Sequence, residues 1–306
     1  PNNGEIELTG NAAVYNPGNP NDDLNLVGNP YPSAIDADEF ITQNNTAISG
    51  TLWFWTHNTV NNQNTSGEQY TANDYASYNL SGGVGTGTGT QAGTGGVTPN
   101  RYIASGQGFF IQANTAGTVT FSNKMRVVGN NSTFYRGKPK REEIEEKDRF
   151  WLSLKTNTTK NQILVGFFNE ATNGVDRLYD GLKLDAGAKS NFYSLIDDQY
   201  FGIQGLSTLK RKTTIPLGFS TSKTGAFKIA IPKKEGKLEK AKIILFDKLL
   251  DVKHRLDKAD YEFSSSTVGV FDERFELIIK PKKVKNNGNL KKIKTYRRGN
   301  RLFVES

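Results

Sequence analysis

Apolar residues in this chain come in short runs with a period of two, and that pattern confines it to β-structure. Near the C-terminal end, Phe271, Phe275, Leu277 and Ile279 share one strand face by this spacing, with Arg274, Glu276 and Ile278 opposite. Comparable runs stand at 150–154, 163–168, 192–195, 215–219, 226–231 and 243–247, separated by Gly, Asn, Thr and Ser. So many short strands within residues 148–281 imply a β-sandwich, jelly-roll-like in its connections. In the first part of the chain the same reading gives strands near 5–9, 24–28, 50–56, 102–113, 117–122 and 125–128. Leu52-Trp53-Phe54-Trp55 is apolar on both faces, which predicts a central strand or one covered on its second side. Residues 58–100, rich in Asn, Thr and Gly and containing the run 82–89, read as a long surface loop with too little apolar surface to pack.

With 306 residues the chain has room for about two cores. Residues 137–147 are charged and nearly devoid of apolar side chains, as in a linker. The expected architecture is therefore all-β: a first β-sandwich over 1–136, the charged linker 137–147, and a second β-sandwich over 148–281. Residues 282–306 then form a basic tether and the first strands of a truncated third domain, a hairpin turning at Arg298-Gly299-Asn300. Opening on a turn and closing in mid-strand, the sequence reads as a fragment. Charge divides along the same line. Residues 1–134 carry nine Asp and Glu against three Lys and Arg, a net −6, whereas the remainder carries 36 basic and 22 acidic residues, a net +14.

Local geometry is most constrained over residues 26–40. Pro30 and Pro32 fix their own φ and push Asn29 and Tyr31 to extended conformations, so a strand through Leu26 and Val27 must end in a stiff bend. Ser33 with Asp36 three residues on reads as a capping-box-like helix start, with Ile35 and Phe40 anchoring one or two turns. Tyr179-Asp180-Gly181 is a turn by composition, and Asp272-Glu273-Arg274 offers a strand-edge ion pair.

Reactive chemistry is sparse. There is no cysteine, which excludes disulfides, thiolate catalysis and Cys-ligated metals, and the two histidines, His57 and His254, stand in no triad or metal-ligand pattern. No catalytic and no cofactor-binding residue is expected. No apolar run is long enough to span a membrane. Asp22, Asp23, Asp36 and Asp38 offer hard oxygen ligands that suit a structural Ca²⁺, set against ordinary capping and turn roles. Trp53, Trp55 and Tyr75, with Tyr70 and Tyr78, offer flat apolar faces for a glycan, set against burial in a sandwich core. The basic run from Lys280 to Arg301 attracts phosphate but brings no recognition helix or stacking platform, so nucleic acid is not an expected partner.

Several phrases, kept in order, resemble a recurrent region of flavobacterial and other Bacteroidota surface proteins exported by the type IX secretion system, just ahead of the C-terminal sorting domain. They are residues 26–40, then Gly50-Thr51-Leu52-Trp53-Phe54-Trp55-Thr56-His57, Asn73-Asp74-Tyr75-Ala76-Ser77-Tyr78-Asn79-Leu80 and Ile103-Ala104-Ser105-Gly106-Gln107-Gly108-Phe109-Phe110. Further on come Leu164-Val165-Gly166-Phe167, Ala171-Thr172-Asn173-Gly174-Val175-Asp176, Tyr179-Asp180-Gly181, Ile215-Pro216-Leu217-Gly218-Phe219 and Phe271-Asp272-Glu273-Arg274-Phe275. Residues 291–306 look like the opening of a type A sorting domain. The resemblance implies secretion to the cell surface or beyond, the type IX machinery as a partner, and a structural or adhesive role with self-association or surface glycans. It brings no active site. Accessory glycan-binding modules of a secreted glycan-degrading enzyme are the alternative.

Overall fold

The computed structural model describes residues 4–8, 23–56, 71–86, 98–131, 147–184, 189–209, 212–281, 294–298 and 301–305. The first half comprises β1 (Ile6–Leu8), β2 (Leu24–Gly28), β3 (Ala34–Asp36), α1 (Ala37–Gln43), β4 (Ile48–Trp55), β5 (Tyr75–Asn79) and β6 (Gly82–Val84), followed by β7 (Tyr102–Ile103), β8 (Gly108–Ala113), β9 (Val119–Phe121) and β10 (Arg126–Val127). Strands β2-β8-β4-β5-β6 form one antiparallel sheet, beside small sheets β10-β3-β7 and β1-β9. Alternation decides its faces. Val27, Leu52, Phe54, Ala76, Tyr78, Phe109 and Ile111 point to a core closed by Phe40 and Ile41 of α1, where the Phe40 ring meets Phe109 edge to face at 5.3 Å.

The bend at residues 29–33 is held by one side chain. Asn29 Nδ2 lies within hydrogen-bonding distance of the carbonyls of Ser33 (2.8 Å), Ile103 (3.0 Å) and Ala104 (3.1 Å), and its Oδ1 accepts from Tyr31 N–H (3.0 Å). The prolines stiffen the turn, but Asn29 ties it to the β7–β8 connection. The helix begins three residues later than the Ser33 capping box implies. Residues 34–36 continue as β3, and Asp36 is the cap, its Oδ1 accepting from the N–H groups of Asp38 and Glu39.

The second half comprises β11 (Asp148–Lys155), β12 (Lys160–Phe168), β13 (Gly181–Leu182), β14 (Ser190–Ile196), β15 (Gln199–Ser207) and β16 (Thr213–Thr221), followed by β17 (Gly225–Glu235), β18 (Lys242–Asp247), β19 (Val252–Arg255), β20 (Tyr261–Ser265) and β21 (Gly269–Lys280). These make one 11-stranded sheet in the order β19-β18-β21-β16-β14-β15-β12-β11-β17-β20, with β13 paired to β15. Every pairing is antiparallel except β12 with β15. The sheet folds around a single core that takes Phe150, Val165, Phe192, Leu217, Phe227, Leu245, Phe263 and Phe275 from eight of its strands. The chain is thus all-β, built as two bodies with separate main cores. Last come β22 (Lys294–Arg298) and β23 (Arg301–Glu305), paired antiparallel with Arg298 opposite Arg301. Among the described residues no helix is long and apolar enough to cross a membrane.

Two further expectations change. Residues 71–86 are not loop: they hold β5 and β6, and only 58–70 and 87–97 of the expected excursion fall outside the described residues, as do 137–146 of the expected linker. Arg274 does not pair along its own strand. It reaches the buried Asp247 of β18 (Nη2 to Oδ2, 2.9 Å), which also accepts from Tyr261 OH (2.9 Å), while its guanidinium stacks over Phe263 and Phe275. Asp272 instead accepts from the hydroxyls of Tyr193 and Tyr200, each at 2.8 Å. Asn29→Asp removes the buried donor to the three carbonyls and sets a charge against them. It is expected to destabilise the fold by ~3 kcal/mol, measured by urea unfolding followed through tryptophan fluorescence.

Candidate functional site at the seam between the halves

Strands β11, β12 and β15 are apolar on both faces. The inner face belongs to the core of the second half, and the outer face carries Trp151, Leu164 and Ile203, which pack with Val84 of β6 into a small core shared by both halves. Trp151 Nε1 donates to the Gly83 carbonyl (2.8 Å). Such closeness needs a strand without a side chain at this point: a Cβ on Gly82 would run into the Arg149 guanidinium and crowd Leu164. Glycine in the 82–86 segment therefore serves contact between the halves.

Charged groups ring this contact. Arg149 donates Nε to Glu235 Oε2 (2.6 Å) and Nη1 to the Ser81 carbonyl (2.9 Å), and Lys233 pairs with the same Glu235 while lying over the Trp151 ring at 4.9 Å. Burial pushes the Glu235 carboxyl up, but the bonds from Lys233 and Arg149 outweigh it and hold the group below the usual carboxylate range. Lys147 Nζ donates to the Leu80 carbonyl (3.2 Å) and faces Asp38 Oδ2 at 3.7 Å. Asp38 Oδ1 accepts from Tyr78 OH (2.8 Å), and burial holds its carboxyl above the ordinary value despite Lys147.

A loop of the second half completes the seam. Asp180 is buried, accepting from Gly205 N–H (2.8 Å) and Asp176 N–H (2.6 Å), while the Asp176 carboxylate accepts from Thr172 N–H. This internal frame presents the backbone of residues 177–180 to the first half. Leu178 O accepts from Leu80 N–H (3.2 Å), Tyr179 O from Ser81 Oγ (2.7 Å), and Arg177 donates to the carbonyl of Asn45 (2.7 Å). The Leu178 side chain packs against the core of the first half. Opposite, Gly50 has φ +85°, and a Cβ there would sit 2.7 Å from the Arg177 carbonyl oxygen.

The sequence-read candidates fall into place around this seam. Asp36 is the helix cap and bonds Arg101 through Oδ2 (2.7 Å to Nε, 2.6 Å to Nη2), and Asp38 is taken by Tyr78 and Lys147. Asp23 is buried near the start of β2, and Asp22 lies outside the described residues. Among the described residues no three His, Cys, Asp or Glu side chains gather as a metal site. Trp53 is 3% exposed, Trp55 and Tyr75 are half-buried cross-strand neighbours, and Tyr78 is core. The structure brings Tyr75 edge to face with Phe110 at 5.9 Å. A hollow of about 30 Å³ lies at the seam, lined by Trp53, Tyr75, Ser77, Gln162, Leu182 and Lys183. That is room for a water or two, far below the roughly 300–1,000 Å³ of a ligand pocket. His254 bonds the Ala259 carbonyl (2.8 Å); His57 and Tyr70 lie outside the described residues.

Sequence reasoning missed Asn29, Arg149, Asp180 and Gly205. For the first three the one available signal was charge or amide placed within or beside otherwise apolar strands; Gly205 offered none.

The chain belongs to a family described as a domain of unknown function, DUF8693, whose model matches residues 1–279 and so runs unbroken through both halves and the seam. No curated protein and no solved structure matches it.

Two outcomes follow from the seam geometry. Gly50→Ala should cost ~3 kcal/mol by equilibrium unfolding, through strain at positive φ and the push against Arg177. Burial pushes the Asp180 carboxyl up to about 7, against the opposing bonds from Asp176 and Gly205 N–H. Because the folded state then holds a proton that the unfolded state releases, stability falls as pH rises from the ordinary 3.8 to about 7. Relative to Asp180→Asn, the wild-type chain should gain ~2 kcal/mol on going from neutral pH to about pH 4, read from paired unfolding curves; parallel curves would refute it.

Proposed function

We propose that this member of the DUF8693 family is a non-enzymatic, structural or adhesive region of a secreted bacterial surface protein or extracellular filament exported by the type IX system. One observation carries the reading. Several of the phrases that resemble type IX cargo place residues at the contact between the two halves: Asp38 in the first, Gly50 in the second, Leu80 in the third, and further on Leu164, Tyr179 and Gly181. What recurs is thus a rigid joint. Its carboxylates are engaged as a cap, as ion pairs and as acceptors of backbone N–H, and two bodies joined in this way transmit orientation and force along a modular chain.

The glycan-binding reading keeps one observation in its favour, the Trp55, Tyr75 and Phe110 side chains gathered on the outer face of the first sheet. Trp53, covered at the seam, is removed from that platform.

Deleting residues 1–281 from the full-length protein in its native cell should abolish attachment or filament formation and leave glycan hydrolysis by the culture unchanged. Loss of hydrolysis with attachment intact would overturn the proposal. Retention of the purified chain on immobilised polysaccharides, lost in Trp55→Ala and Tyr75→Ala, would instead establish the second reading.

A further inference from the structure

Sheet edges expose unpaired backbone groups, and proteins that stay single blunt them with charge, proline or a covering element. Three of the four edges of the two large sheets are treated this way. The β6 edge is packed onto β11, β12 and β15. At β20, Arg274 donates to the Ser264 carbonyl (3.4 Å) and Glu262 is paired with Lys228 (2.8 Å). The third edge, β19, carries Lys253, His254 and Arg255.

The fourth is β2, Leu24-Asn25-Leu26-Val27-Gly28, without charge or proline. It pairs with β8 on one side and, among the described residues, with no strand on the other. Leu24 and Leu26 point outward at 39% and 67% exposure. Beside them Gly28 stands opposite Gly108, both exposed; the Leu26 side chain leans over Gly108, and no side chain lies close to Gly28.

We infer that β2 is a self-association edge, pairing antiparallel with β2 of a second copy across a two-fold axis at Leu26. A two-fold contact must be self-complementary, residue i meeting j and j meeting i. This strand meets that condition. Leu26 lies against its own copy, and Leu24 lies opposite Gly28 in both directions, each Leu24 covering Gly28 of the other copy. Antiparallel partners share a face, so the exposed leucines stay on the outer side, continuous with Phe110, the cross-strand neighbour of Leu26. The two five-stranded sheets become one. An uncharged strand puts no like charges face to face, but each first half brings a net −6, so the dimer tightens as salt rises. One strand pair with two leucines a side is smaller than a standard interface, and the association is weak and reversible.

The cysteine-free chain permits a direct test. Under mild oxidation Leu26→Cys should crosslink to itself ~10-fold faster than Leu24→Cys or a control cysteine at Val128, which is 97% exposed. An equimolar mixture of Leu24→Cys and Gly28→Cys should form the mixed disulfide. A Cβ at Gly28 meets nothing nearer than the Gln107 carbonyl oxygen at 3.8 Å, so that variant folds. Sedimentation equilibrium should show a monomer–dimer equilibrium strengthened by NaCl and abolished by Leu26→Lys, with an unchanged circular dichroism spectrum. A wild-type chain that stays monomeric at its solubility limit overturns the inference. So does a dimer that persists in Leu26→Lys, or Leu26→Cys crosslinking no faster than the Val128 control, either of which assigns the edge to another occupant.

Discussion

The organisation of this molecule depends on three strands that cannot face water on either side. Strands β11, β12 and β15 bury Phe150, Val165 and Leu206 inward and Trp151, Leu164 and Ile203 outward. At roughly 25 cal/mol per Å² of apolar surface, exposing an indole and two branched side chains would cost several kcal/mol, a large share of the stability of a domain. The first half supplies the cover, and does so with glycine. Val84 reaches Trp151 because Gly82 lets the backbone of β6 approach Arg149 and Leu164 closely enough for a direct bond from the indole N–H to the Gly83 carbonyl.

Polar groups at the rim follow from the same burial. Arg149 cannot be left dry without partners, and it finds Glu235, the Ser81 carbonyl and the face of Trp151. Asp180 is costlier, a carboxylate inside the protein whose neighbours are backbone N–H groups of Asp176 and Gly205. Its reward is order: the loop it organises presents a row of carbonyls and Leu178 to the first half. The seam resembles a core with charged edges more than a cleft.

The sequence reveals the fold wherever alternation is undisturbed. The bounds of β2 agree to the residue, the two-faced apolar character of β4 is realised as a central strand covered across the seam, and the face shared by Phe271, Phe275, Leu277 and Ile279 is the inner one. Legibility fails where glycine or polar residues build strands. Strand β15 contains Gly202 and Gly205, which interrupt its apolar alternation yet make room for Lys183 and Tyr179 lying across them, and β5 and β6 vanish into a Gly- and Asn-rich stretch for a similar reason. Side-chain partners were less legible still. Asp180 reads as a turn residue and Arg274 as half of a surface pair, because only tertiary packing decides that both are buried.

The union of Arg274, Asp247 and Tyr261 carries a mechanical consequence. The long sheet of the second half wraps until its last strand, β20, lies against β18 and β21, yet no backbone ladder joins them. The circle is closed by a guanidinium, a carboxylate and a phenol, with Phe263 and Phe275 in contact beneath at 4.9 Å. A ring of ladders with one stitched gap is stiff along its strands and compliant across a single line. Tension applied between β20 and β21 would strain a few side-chain bonds before it reached any sheet hydrogen bond, making that line the place where this half first gives way.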